Sequence, residues 1–272
     1  FFGFSNIYLY EISNNYFSDN VALNPFTQTW SLAVEEQFYI IFPIIVWITG
    51  FSQGKIYGKR LLIYLLTFLS LVSLIGFYYF HQRNINAAYY LMPFRFWEMS
   101  IGSLSFLLRN KFNKILKRFE IFIASFSFLI IVPSFFIPNI SISNLTLISV
   151  LSTSLLIINI KKNTFLYNFL ANKFLMHIGN ISYSLYLWHW GIISVSKWSI
   201  GIHWWTIPFQ IFAIYSISLI SYKNIEEPIR NLKLGLKSFY TLLFGLFTLL
   251  ISSFLYIVGF IRTPKLLVLN KL

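Results

Sequence analysis

The chemistry available to this 272-residue chain lies in a few polar side chains set among apolar ones. Only eight residues are acidic. Glu11 and Asp19 fall near the start, and Glu120 opens an apolar run. The other five fall in three places: Glu35 with Glu36, Glu98, and Glu226 with Glu227. Arg95 precedes Glu98 by three residues, a spacing that puts both on one face of a helix. Such a pair has two readings. It is an internal ion pair that ties helices together, or a charged wall that positions a substrate. Ser182, Tyr186 and His189 follow i, i+4, i+7 spacing and would form one polar stripe on an apolar helix. A histidine there suits general-base chemistry near neutral pH, or simple hydrogen-bonded packing. Glu35-Glu36-Gln37 opens another apolar run just after Thr29-Trp30-Ser31. A cap from Ser31 or Thr29 would account for one glutamate at most. Adjacent helical residues point about 100° apart, so only one of the two need face an interior. His81 and His203 are expected in loops, solvated, and His177 just before a helix.

These residues must be positioned by elements that the composition identifies. The chain is 57% hydrophobic and 21% aromatic but only 11% charged. Disorder is excluded, because it needs low hydrophobicity and high charge. A soluble globular enzyme is excluded by the same numbers, since the few charged side chains cannot coat its surface. A bilayer-crossing helix needs about 20 mostly apolar residues. Eight stretches qualify: Thr29–Phe51, Leu61–Phe80, Ala87–Leu108, Phe119–Ile137, Ser143–Ile160, Ile178–Trp198, Trp204–Tyr222 and Phe239–Ile261. The expected fold is therefore all-α: a polytopic integral membrane helical bundle of about eight transmembrane helices, one domain over residues 1–272. An acid or base inside a span costs several kcal/mol unless paired or hydrated, so the buried candidates should face a bundle interior or a wet cavity.

The net charge of +13 would suit nucleic acid, but the basic residues sit in short clusters between apolar runs. Lys55, Lys59 and Arg60 follow the first stretch. Arg109, Lys111, Lys114, Lys117 and Arg118 follow the third. Lys161, Lys162 and Lys173 follow the fifth, and Lys223, Arg230, Lys233 and Lys237 the seventh. The intervening loops hold only Arg83 and Lys197. The positive-inside rule puts the rich loops in the cytoplasm and the poor ones outside. The same clusters would also anchor to anionic headgroups. Cysteine is absent, and no glycine-rich phosphate loop, HExxH zinc site or other metal-ligand pattern occurs. The first ten residues, Phe1–Tyr10, read as the end of an apolar segment, so the natural chain is expected to extend upstream.

Four blocks together resemble one family. Asn24-Pro25-Phe26-Thr27-Gln28-Thr29-Trp30-Ser31-Leu32-Ala33-Val34-Glu35-Glu36-Gln37-Phe38-Tyr39 closely resembles the signature of the membrane acyltransferase-3 family. Arg95-Phe96-Trp97-Glu98 with Gly102, the run Gly179–Trp190 that contains Ser182-Tyr183-Ser184-Leu185-Tyr186-Leu187-Trp188-His189, and Ile225-Glu226-Glu227-Pro228-Ile229-Arg230 follow in the family's order. The resemblance runs from near Phe1 to about Arg230. It implies a bacterial enzyme of the cytoplasmic (inner) membrane. Such an enzyme transfers an acyl group, usually acetyl, from a cytoplasmic acyl-CoA such as acetyl-CoA, with no bound cofactor. The acceptor is a hydroxyl of an extracytoplasmic glycan such as lipopolysaccharide O-antigen or exopolysaccharide. It implies a catalytic His upstream of Phe1, so that this stretch alone is expected to be inactive, and an extracytoplasmic SGNH-type domain beyond the C-terminal end. On this reading Glu35, Glu36, Arg95, Glu98, Ser182, Tyr186 and His189 line the donor or acceptor passage. Arg95 suits a donor phosphate because its planar fork matches that geometry. Trp30, Ser31, Gln37, Tyr39, Glu226, Pro228 and Arg230 hold the motifs in place. Gln28 stands where many relatives have His, and Gly191 where many have Pro. Proton-coupled transport or flipping of a lipid-linked sugar would use buried Arg, Glu and His equally well. A purely structural membrane subunit needs none of the three acid-bearing motifs.

Overall fold

The computed structural model describes residues 3–14, 23–54, 57–116, 118–134, 136 and 141–231. All regular structure among them is helical. The helices are α1 (Ser5–Asn14), α2 (Thr29–Ile48), α3 (Gly58–Arg83), α4 (Ile85–Tyr90), α5 (Met92–Leu116), α6 (Glu120–Ser134), α7 (Ile142–Asn159), α8 (Phe165–Leu170), α9 (Lys173–Ser199), α10 (Ile207–Ser221) and α11 (Glu227–Asn231). A π-helical turn, Tyr222–Glu226, joins the last two.

Three of the described helices are long and apolar enough to cross a membrane: α2, α3 and α7. This is fewer than the eight expected from the sequence, and each shortfall has a local cause. The stretch from Ala87 is broken at Leu91, which adopts an extended conformation. Pro93 has no N–H to continue the ladder and sits instead in the first turn of α5, where none is needed. Helix α5 then carries Arg95, Glu98 and the basic cluster from Arg109 within its length. Pro133 falls in the last turn of α6, a 15-residue apolar helix. Pro208 starts α10 late and the π turn ends it early, leaving 15 residues. Helix α9 has the length, 27 residues, but includes Lys173, His177, His189 and Lys197. The eighth stretch, Phe239–Ile261, lies outside the described residues.

The chain forms two compact units. One comprises Phe1–Leu9, Asp19–Ala33 and Tyr183–Leu272, the other Tyr10–Ser18 and Val34–Ser182. In the second unit, α3 packs on α5 and α6 on α7. Phe77, Ala88 and Trp97 form its core. The approach of α3 to α5 is close: a Cβ on Gly76 would lie 3.0 Å from the Phe94 ring.

The distribution of side chains on α3 is the inverse of a soluble helix. Leu61, Tyr64, Phe68, Leu71, Ile75 and Tyr79 form an exposed apolar stripe at helical spacing. The opposite face buries Leu62, Leu66, Ser70, Ser73 and Phe77. Ser70 bonds Ser100 of α5 at 2.5 Å, and Ser73 donates to the Pro93 carbonyl at 2.6 Å. Small polar residues inside and large apolar ones outside are what a helix needs when its solvent is lipid. Helix α10 repeats the arrangement, with Phe209, Ile211 and Phe212 exposed and Ser218 fully buried.

Candidate functional site

In the first unit the site is built around residues 24–31. Asn24 opens it with an Asx turn, its Oδ1 accepting from the Phe26 N–H at 2.9 Å. Thr27 donates to the Asn24 carbonyl and Thr29 to the Phe26 carbonyl, at 2.9 and 2.7 Å. The segment is then fastened to α9 at four points. Trp190 donates its indole N–H to the Asn24 carbonyl at 2.9 Å. Gln28 donates through Nε2 to the Leu187 carbonyl at 3.0 Å. Tyr186 donates its hydroxyl to the Gln28 carbonyl at 2.5 Å, and its oxygen lies 2.5 Å from Ser31 Oγ. Helix α2 begins at Thr29, so Thr29 and Ser31 lie within its first turn and neither is the N-cap expected from the sequence. Gln28 is buried. Gly191 stands clear, since a Cβ there would meet nothing nearer than the Pro25 carbonyl at 3.9 Å.

His189 is half-buried on α9. Its Nδ1 lies 2.7 Å from the Tyr186 carbonyl and 3.2 Å from that of Leu185. Carbonyls only accept, so Nδ1 is the donor in this network. Of the expected stripe, Ser182 is exposed, whereas Tyr186 and His189 are half-buried. The serine that matters to packing is Ser184, which sequence reasoning passed over. It is fully buried and donates to Glu226 Oε2 at 2.7 Å, while its carbonyl accepts from Ser218 at 3.2 Å. The signal for it was the small-residue face Ser184, Gly191 and Ser194, which lets helices approach closely.

Glu226 ends the π turn, where the Glu227 N–H bonds the Tyr222 carbonyl five residues back. Pro228 follows and has no N–H to give, so the ladder shifts register there. Arg230 lies 3.9 Å from Glu226 and donates to the Tyr222 hydroxyl at 3.0 Å.

In the second unit Arg95 and Glu98 pair on one face of α5 at 2.9 Å, both largely buried. The guanidinium also lies 5.7 Å from the Tyr89 ring centre. Between them in sequence, Phe96 packs on Phe38 of α2 with ring centres 5.3 Å apart, and Trp97 is fully buried with its backbone N–H bonded to Ser73 Oγ at 3.1 Å. Glu35, Glu36 and Tyr39 are exposed, and Gln37 is half-buried. Helix α2 turns Val34, Phe38 and Ile45 inward instead, a 4- and 7-residue spacing that leaves neither glutamate facing the interior of this unit.

Arg95 borders a cavity of about 220 Å³, shared with His81, Asn86, Tyr89, Tyr90 and Thr146. His81 is not in a loop, as its position suggested, but in the last turn of α3. Its Nε2 is buried and has no hydrogen-bond partner among the described residues.

These features define a helical protein whose outer faces suit a bilayer and whose interior carries a charged pair beside a cavity. Comparison with known proteins gives the class narrower terms. The chain is 31% identical over 244 residues to a candidate O-acetyltransferase of Staphylococcus aureus (strain COL), which covers 82% of this chain and 39% of that protein. It is 28% identical over 248 residues to the O-acetyltransferase OatA of Staphylococcus aureus (strain NCTC 8325 / PS 47), covering 82% of this chain and 40% of that protein. The chain thus spans about two fifths of the length of the curated relatives it matches. No protein-family model matches it, and no solved structure does.

Proposed function

We propose that this chain belongs to the membrane part of an O-acetyltransferase that moves an acetyl group from a cytoplasmic acyl-CoA to a hydroxyl of an extracytoplasmic glycan. The observation that carries this reading is the Arg95–Glu98 pair, largely buried at the wall of a cavity, in a chain similar over most of its length to O-acetyltransferases. Inside apolar surroundings a charged pair is retained at a cost. That cost is offset where the pair holds a substrate in register.

The reaction itself is simple to balance. The acceptor oxygen bonds the acetyl carbonyl carbon, the carbon–sulfur bond breaks, and the hydroxyl proton leaves with the base and ends on the thiol. An acceptor hydroxyl and a thioester carbonyl brought together in a fixed geometry gain most from positioning and from donors aimed at the developing oxyanion. Arg95 supplies such a donor, with Glu98 fixing its orientation.

The test is chemical. Cells expressing the complete protein should carry alkali-labile acetate on their surface glycan, and cells with Arg95→Ala or Glu98→Ala should carry less than about a hundredth as much, with equal protein in the membrane fraction. Ester levels unchanged in both variants would overturn the role of the pair. Glycan delivered to the surface without any ester would favour a transporter instead.

A further inference from the structure

The loop between α9 and α10 is built the wrong way round for water. Its large apolar side chains, Trp198, Ile200, Ile202, Trp204, Trp205 and Ile207, are exposed, Trp204 at 84%. Its polar side chains turn the other way. Ser196 donates to the Gly201 carbonyl at 3.2 Å and accepts from Gln210 Nε2 at 2.7 Å. Thr206 is buried. Its hydroxyl donates to the His203 carbonyl at 2.8 Å and accepts from the His203 N–H at 3.0 Å. His203 Nε2 donates to the Ile200 carbonyl at 3.1 Å, and its ring stacks on Trp205, 6° from parallel. Gly201 turns the chain at φ +85°, in the left-handed region that a residue with a side chain rarely adopts. The whole arrangement lies within the first unit.

Charge does not hold this loop in water either. Between Lys173 and Lys223 the only Lys, Arg, Asp or Glu is Lys197, and its ammonium lies 5.0 Å from the Trp190 ring centre. An exposed apolar patch of this kind marks a protein or a membrane contact. Three features choose the membrane. The patch runs on through Ile207 into the Phe209, Ile211 and Phe212 stripe of α10, so it continues a surface that already suits lipid. Irregular backbone enters apolar surroundings only where its polar groups find partners inside the protein, and the Gly201, His203 and Ile200 carbonyls do so here. Tryptophan favours the headgroup level of a bilayer. The scarcity of basic residues in this loop places it on the outer side by the positive-inside rule.

We propose that the loop 200–206 is a lipid-docking surface, seated in the headgroup–acyl boundary of the outer leaflet through Trp204 and its apolar neighbours, and held there by apolar area rather than by headgroup charge. Acetyl transfer plays no part in this. The chain contains no cysteine, so a single introduced one can carry a nitroxide spin label. Ile202→Cys and Trp204→Cys are labelled in the whole chain in phosphatidylcholine nanodiscs. Phe68→Cys, on the exposed face of α3, is the lipid reference, and Gln53→Cys, exposed in a basic loop, is the aqueous one. Oxygen, which concentrates in the bilayer, and a water-soluble nickel chelate each relax the label, and their ratio reads its depth. Both loop positions should lie about 5–10 Å below the phosphates, and at the same depth when anionic phosphatidylglycerol is added. Ile202→Cys keeps both tryptophans, and it decides the matter alone if Trp204→Cys does not fold. Labels as open to the nickel chelate as the one at Gln53 would show a loop in water. Labels closed to oxygen and chelate alike would show a protein partner or a second copy over the patch. Depth gained only with phosphatidylglycerol would show headgroup charge as the attraction. Each of these three results would overturn the proposal.

Discussion

At the residue scale, Tyr186 is the side chain on which the first unit's motif turns. Its hydroxyl bonds both the Gln28 carbonyl and Ser31, 158 and 155 residues away in sequence. Tyr186→Phe keeps the ring and removes the hydroxyl, so it should lower the unfolding free energy by about 1–3 kcal/mol. A thermal melt followed by tryptophan fluorescence in detergent would show it, and Ser31→Ala should have the smaller effect because the bond to Gln28 survives. An unchanged midpoint in Tyr186→Phe would remove this clasp from the account. The sequence made Ser31 and Tyr186 visible as polar groups in apolar runs, but not as partners, because nothing in either run encodes a contact at that separation. Helical spacing picked Ser182 over Ser184 for a related reason. Periodicity finds a stripe, while burial depends on which neighbour, here Glu226 and Ser218, lies against it.

At the element scale, the positions of proline decided most of the differences between expectation and structure. An apolar run is legible as a run, but Pro93, Pro133 and Pro208 set where helices start and stop inside it. Runs without such a break, α3 and α7, were legible almost to their ends. The packing of α6 on α7 is accompanied by an ion pair that the sequence did not suggest. Glu120, in the first turn of α6, is buried and bonded to Lys161 just beyond α7. Its carboxylate also faces the positive end of its own helix. Lys161→Met would strand that buried charge and should cost about 2 kcal/mol, less than a fully enclosed pair because Lys161 is half-exposed. The double variant Glu120→Gln with Lys161→Met should recover most of the loss. A double-mutant cycle on the melting midpoint checks this, and additive losses would show that the two do not interact.

At the scale of the whole molecule, the membrane assignment was legible from composition and was strengthened by the inside-out helices. Exposed Phe, Leu and Ile on α3 and α10, over buried serines, need lipid for a solvent. Under the proposed function, the alternation of basic and neutral loops assigns the donor to the basic side and the ester to the other. The measurement that tests this most directly uses sealed inside-out vesicles from cells expressing the complete protein. Labelled acetyl-CoA is supplied to the exposed cytoplasmic face, and alkali-labile label is measured on glycan enclosed within. Label should accumulate on the enclosed glycan, and Arg95→Ala vesicles should stay at background. Label that never reaches the enclosed glycan, or reaches it equally in the Arg95→Ala vesicles, would contradict transfer across the membrane by this chain.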